Sequence, residues 1–318
     1  MSNILENLSW LMPVPKDFLD RLNDVADEDD LFALSKFSLG DSHLRHVADR
    51  LSKLKKSKGK LTQFQPIKLG IVSNSTTDFI APSLVGSAVR YSLDLEVIES
   101  EFDQVAQLAF GSDDIFNGAD LDVVLVSIDH RGLPLGSNFG VVSNEGEVVN
   151  RCYEYILSIV NSLQLKTGSK IIVQNLVPPF EYVAGSYERR LSGTKISILN
   201  EINSKLDDLK IPNVYVMDVH SLASQVGFAS WHDPKYWNVA KVSFSMRYIP
   251  IFCEFLCRIL SASMGRARRV LILDLDNTCW GGVIGDDGLE GIVIGNGNPT
   301  GEAHLQVQRM ALELRARG

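Results

Sequence analysis

Asp274, Asp276 and Cys279 are the residues whose types and spacing carry chemistry. They sit in the run Val-Leu-Ile-Leu-Asp-Leu-Asp-Asn-Thr-Cys-Trp-Gly-Gly from Val270 to Gly282. Carboxylates two residues apart on a strand share a face. At that distance they repel unless one is protonated or a cation lies between them. A hard divalent ion such as Mg2+ relieves the repulsion and also binds a phosphate oxygen. A metal-held carboxylate can attack phosphorus while its neighbour moves a proton. The Cys279 thiolate is a good acyl acceptor once its pKa is lowered. The bland readings stand beside these: two strand-end caps, a thiol serving as a small apolar residue, and a packing role for Trp280.

The apolar residues before Asp274 predict a strand buried on both faces. A polar cluster following such a strand is how an α/β sheet offers a site at its carboxyl edge. Asn277 and Thr278 favour a turn, and Gly281 and Gly282 let the backbone leave sharply.

Asp-Leu-Asp-Asn-Thr after an apolar strand resembles the first motif of the haloacid dehalogenase (HAD) superfamily. The longer string from Asp274 through Cys279-Trp280-Gly281-Gly282-Val283-Ile284-Gly285 to Gly291 resembles the FkbH-like branch, of HAD-IIIC type. The resemblance implies an enzyme that takes a glyceryl group from 1,3-bisphosphoglycerate, releases phosphate and passes the acyl group to the phosphopantetheine thiol of an acyl carrier protein in polyketide-type biosynthesis. It implies Asp274 and Asp276 as the catalytic and Mg2+-binding carboxylates and Cys279 as the covalent acyl carrier. The alternatives are a HAD-type phosphatase acting on a small phosphorylated substrate, and a truncated, non-catalytic protein that binds acyl or carrier partners.

The elements that must position these residues come earlier. Residues 1–66 read as helical, with Leu44, Val47, Leu51 and Leu54 at helical spacing and a cap at Asp41 or Ser42. Lys53, Lys55, Lys56, Lys58 and Lys60 form a basic run, either a solvated helix end or a docking patch for an acidic carrier. From Ile67 strands are predicted at 68–73, 95–98, 121–127, 170–174 and 214–218. Helical stretches lie between them, around 80–91, 102–110, 146–163 and 193–208. This alternation predicts a parallel sheet covered by helices, with right-handed crossovers. A long helix over 239–262 closes the domain.

The turn Ser73-Asn74-Ser75-Thr76 resembles the nucleophile block of SGNH hydrolases, with Ser75 in the serine's place. The family's later blocks would fall at Ser127-Ile128-Asp129-His130 and Asp233-Pro234-Lys235-Tyr236. Both depart from its pattern, and the second holds a tyrosine where the family has histidine. The resemblance therefore implies a vestigial site at Ser75, Asp129 and Asp233. A serine nucleophile needs a base and a group to orient that base. His130, His220 and His232 are each read first as hydrogen-bonded structural groups.

The expected architecture is thus α/β. A helical N-terminal segment (1–66) precedes an SGNH-like three-layer domain (67–262), and the start of a HAD-type Rossmann-like domain follows (263–318). A basic link, Arg266 to Arg269, leads into the motif. A small β-flap over 283–285 and 292–295 and a helix over 302–317 follow it. One strand, a flap and a helix do not make a stable sheet. The HAD part is accordingly read as incomplete: a fragment, a truncated gene product or half of a split enzyme.

The chain has 318 residues, 45% of them apolar, and a formal net charge of −8. The acidic balance argues against a nucleic-acid partner. Four cysteines without a CxxC pair fit a reduced, cytoplasmic protein. The longest apolar stretch, near Ile249–Leu260, carries Glu254 and Arg258 and is too short to span a bilayer.

Overall fold

The structure is a computed structural model that describes residues 8–112, 115–136, 144–181 and 183–318. The first seven residues of the expected helical segment lie outside these. The chain divides into two compact units, Met1–Ser261 and Ala262–Gly318.

The first unit is built on one five-stranded sheet: β1 (Gln65–Ser73), β2 (Leu93–Glu99), β3 (Val123–Ser127), β4 (Lys170–Gln174) and β5 (Val214–Met217), in the order β2-β1-β3-β4-β5. All four pairings are parallel, with Leu69 opposite Val123, Val124 opposite Ile171 and Ile172 opposite Tyr215. This is the expected α/β architecture. Its cause is visible in β3, where Val-Val-Leu-Val-Ser is buried along its whole length. Val72, Val124, Val126, Ile171 and Val173 form one core with the helices of one face. Leu69, Ile71, Val123, Leu125 and Ile172 are buried as well. A strand apolar on both sides must be covered on both sides.

Helices α1 (Phe18–Asp24), α2 (Glu28–Ser35) and α3 (Asp41–Lys58) precede the sheet and enclose a core of their own around Leu31, Leu44, Val47 and Leu51. α3 packs on α4 (Ala81–Ala88) closely enough that a Cβ on Gly86 would overlap the Leu44 carbonyl. The connections hold α5 (Val105–Phe110), α6 (Glu145–Thr167), α7 (Lys195–Asp207), α8 (Val219–Val226), α9 (Phe228–Trp231), α10 (Pro234–Ala240) and α11 (Ile249–Ser263).

The helix expected over 239–262 is broken. α10 ends at Ala240, Lys241 turns left-handed at φ 54°, and α11 starts only at Ile249. Pro250 explains the restart: proline suits a helix's first turn and not its interior.

The second unit corrects a larger expectation. Val270–Leu275 forms no strand; Val270 and Ile272 are 78% and 88% exposed. A strand exists through its neighbours, and among the described residues of this unit the β pairing amounts to two isolated bridges, Asp276 with Trp280 and Gly281 with Val293. The flap is likewise absent, because residues 284–291 form α12 (Ile284–Gly291). The expected last helix is present as α13 (Pro299–Ala316), capped by Asn298, whose Oδ1 accepts from the amides of Thr300 and Gly301.

No helix among the described residues is long and apolar enough to cross a membrane.

Candidate functional site

The loop from Asp274 to Val283 holds the sequence-predicted site of the second unit, and its own hydrogen bonds shape it. Asn277 takes a left-handed conformation, φ 55°. Its backbone amide donates to the Gly282 carbonyl (3.3 Å), while its Oδ1 accepts from the Gly282 amide (2.9 Å). Gly282 sits at φ 95°, where a side chain would be strained and would also meet Asp287. Asp276 is the hub. Its Oδ1 accepts from the Trp280 indole (3.0 Å) and from the Ile284 amide at the start of α12 (3.2 Å). Trp280, read as packing, therefore fixes a carboxylate as well.

Cys279 is 8% exposed, and its Sγ donates to the Asp274 carbonyl at 3.5 Å. Two residues of α13 steady the loop from behind. His304 Nδ1 donates to the Thr278 carbonyl (2.9 Å), and Gln308 Nε2 donates to the Cys279 carbonyl (2.7 Å). Sequence reasoning missed both. Their spacing of four, one turn of one helix face, was the available signal.

The loop thus sets Cys279 against the Asp274 backbone and Asp276 against Trp280 and Ile284, with unequal access: Asp274 is exposed and Cys279 is buried. Mg2+ is commonly held by one or two carboxylates plus substrate phosphate and water. The exposed hard-oxygen donor Asp274 fits that chemistry. Asp276 has one oxygen already occupied by two N–H donors. No group of three or more His, Cys, Asp or Glu side chains able to hold a metal occurs among the described residues.

In the first unit, Ser75, Asp129 and Asp233 are each engaged elsewhere. Ser75 is 4% exposed, its Oγ lies 2.9 Å from Ser73 Oγ, and its amide donates to Ser73 Oγ. Asp129 Oδ1 accepts from Asn74 Nδ2 and from the Arg131 amide, and its Oδ2 pairs with the Arg131 guanidinium. Asp233 caps α10 by accepting from the Tyr236 amide. No imidazole hydrogen-bonds Ser75 among the described residues. This is not the relay that activates a serine.

His130, just after β3, and His232 come together. His130 and His232 meet edge to face at 6.4 Å, and His232 Nε2 donates to the Pro178 carbonyl (2.8 Å). Burial pushes the His130 imidazole down to about 4 against the opposing pull of Asp129. Burial lowers His232 and His220 too. His220 stacks on Phe228, rings 5.4 Å apart. Beside the His130–His232 pair opens a cavity of about 710 Å3, lined among others by Arg131, Phe180, Leu191 and Trp237. No sequence signal pointed to it, because its walls come from irregular connections.

A crystal structure of the N-terminal part of the protein BF1531 from Bacteroides fragilis, described as containing a phosphatase domain complexed with Mg, shares this fold. It matches at a TM-score of 0.74 and 21% identity, over 88% of this chain and 72% of that one. A GDSL-like lipase from Bacteroides thetaiotaomicron matches more distantly, with a TM-score of 0.33 and 12% identity, over 69% of this chain and 98% of that one. A comparison with curated proteins finds no match. The family described as FkbH, N-terminal domain, matches residues 68–261, the stretch that carries the sheet and its covering helices. This chain belongs to the FkbH N-terminal domain family.

Proposed function

We propose that the protein serves FkbH-like acyl transfer in the cytoplasm. In this reading the second unit is of HAD-IIIC type and the first is an SGNH-like domain without its hydrolytic relay. The substrate is an acyl phosphate of the 1,3-bisphosphoglycerate kind, and the acceptor is the phosphopantetheine thiol of an acyl carrier protein, feeding polyketide-type biosynthesis. The observation that carries the reading is the loop that holds Cys279 beside the Asp274 backbone with Asp276 as its hub.

In the first step Cys279 Sγ bonds to the acyl carbon and the acyl C–O bond breaks. Phosphate leaves with that electron pair, and the thiol proton passes to the departing phosphate or water. In the second step the carrier thiol attacks the thioester, and Cys279 leaves as thiolate. One thioester replaces another, so this exchange is close to balanced. Asp276 positions the loop, while Asp274 faces the solvent from which the phosphate arrives. Mg2+ held at Asp274 would offset the phosphate's charge. Because Sγ is covered, the loop must open for the thiol to react.

Incubating the protein with 1,3-bisphosphoglycerate, Mg2+ and carrier protein, and weighing both proteins intact, tests this. A glyceryl group should appear on the carrier, and Cys279→Ala should remove it. A carrier loaded equally well by Cys279→Ala rules out the covalent role.

One observation favours a second reading, a HAD-type phosphatase: the exposed nucleophile of the loop is Asp274, not Cys279. Phosphate trapped on Asp274, with no acyl group on Cys279, would establish it.

A further inference from the structure

We propose that the cavity of the first unit binds an organic monocation, an ammonium group carried on an apolar body. The volume, about 710 Å3, falls among small-molecule sites. Its walls come from three connections. Arg131 follows β3, Glu181 and Glu188 lie between β4 and α7, and Trp237 belongs to α10. None of these residues takes part in the chemistry assigned to Asp274, Asp276 and Cys279, so the inference stands apart from the acyl-transfer reading.

Glu188 decides the ligand class. It lies in the short turn Gly185–Arg190 and is only 4% exposed. A glutamate is rarely buried so deeply unless it is paired. Here the carboxylate has no ion-pair partner among the described residues, and one hydrogen bond holds it: Oε2 accepts from the Ala184 amide at 2.8 Å. The Glu188 backbone carbonyl accepts from the Thr194 hydroxyl at 2.7 Å. These two bonds fix the residue in the wall. Oε1 is left without a protein donor, yet it is not sealed from the cavity. A buried carboxylate costs free energy until a counter-charge reaches it, and a cationic ligand supplies one.

The cations already in the wall do not fill that role. The Arg131 guanidinium pairs with Asp129 and lies 3.8 Å from the centre of the Trp237 ring. Lys195 has a partner of its own within the protein, and neither cation is ion-paired to Glu188. With Asp129 offsetting Arg131, the carboxylates of Glu181 and Glu188 stand against Lys195, an excess of one negative charge. That excess suits a single positive charge. A divalent metal would need more oxygen ligands, and no group of three metal-ligating side chains occurs among the described residues. An ammonium group needs only the charge-assisted N–H···O bond to Glu188 as its anchor. Glu181 is exposed on the same wall and attracts the cation from solvent, while Phe180 and Leu191 offer apolar surface to its carbon body.

Calorimetric titration of the whole chain with 2-phenylethylamine, 2-phenylethanol and 3-phenylpropionate tests this, since the three share a body and differ in charge. The amine should bind with a Kd of about 1 mM or below, and at least about tenfold tighter than the alcohol or the acid. Glu188→Gln keeps an oxygen for the Ala184 amide and should bring the amine to within about threefold of the alcohol. Leu191→Arg, at an exposed wall position, places a cation at the cavity and should weaken amine binding by about tenfold or more. It leaves Glu188 untouched, so it serves as the test should Glu188→Gln fail to fold. No amine binding by the wild type up to about 10 mM overturns the inference. So does an alcohol or acid that binds as tightly as the amine, or amine binding unchanged in the folded variants.

Discussion

Asn74 and Asp129 exchange two hydrogen bonds across the carboxyl ends of β1 and β3. Asn74 Nδ2 donates to Asp129 Oδ1, and the Asp129 amide donates to Asn74 Oδ1, both at 2.9 Å. These strands are neighbours in the sheet though not in sequence, so the pair closes the point where the strand order reverses. A Cβ on Gly132 would press into the Asn74 side chain, so the arrangement has no slack. Asn74→Ala should lower unfolding free energy by about 2–3 kcal/mol, since it strips a donor from a buried carboxylate and an acceptor from a buried amide. Urea unfolding measures it; a loss under about 0.5 kcal/mol would show the clamp to be incidental.

The same clamp makes Asp129 a structural group. Among the described residues the Ser75 hydroxyl has only the Ser73 hydroxyl as partner, and a serine without a base stays a poor nucleophile. A fluorophosphonate probe should leave Ser75 unlabelled at a dose that labels an active serine esterase fully. Labelling at Ser75 would mean that the relay assembles in solution.

Glu254, buried in α11, gathers three partners that the sequence scatters. The guanidinium of Arg90 pairs with its Oε2, while the Tyr91 hydroxyl (2.6 Å) and Arg258 (3.1 Å) donate to its Oε1. Burial, followed by the neighbouring Glu254 charge, pushes the Tyr91 hydroxyl far above its ordinary range, so it stays a donor at any working pH. Glu254→Ala would leave Arg90 buried without its counter-charge. That should cost about 3–5 kcal/mol in a thermal or urea melt, whereas losing an exposed ion pair such as Arg21–Asp17 should leave the melt nearly unchanged. Equal small losses in the two variants would refute the network's importance.

The sheet was legible in the sequence because Val123–Val126, Ile171–Val173 and their kin are buried on both faces, and continuous apolar runs report that burial directly. Val270–Leu275 carries the same signal and is exposed coil. Composition reports what a segment would do among neighbours, and the ladder partners are not found among the described residues. The loop chemistry was legible residue by residue, from Asp274 to Cys279. Its support from His304 and Gln308 was not, since an amide or imidazole on a helix bonds to any carbonyl the fold brings near. The cavity was hidden for a like reason: His130, Leu191 and Trp237 meet only after β3, β4 and α10 are placed.

Acid should loosen the first unit through His130. Asp129, Arg131, His232 and Lys195 face this imidazole, and burial outweighs the attraction of Asp129 to hold its pKa at about 4. In the unfolded chain the same group titrates near 6.5. Between those values the unfolded state binds a proton that the folded state refuses, so stability falls as pH drops through the window and levels off below it. The stabilisation is fully present above about 6.5, and its loss by pH 4 is at most a few kcal/mol for this one group. His232, lowered in the same direction, adds to it. Urea midpoints followed from pH 7.5 to 4.5 should decline, and His130→Gln, which does not titrate, should flatten the decline. A slope identical in the variant and the wild type would assign the acid sensitivity to other groups.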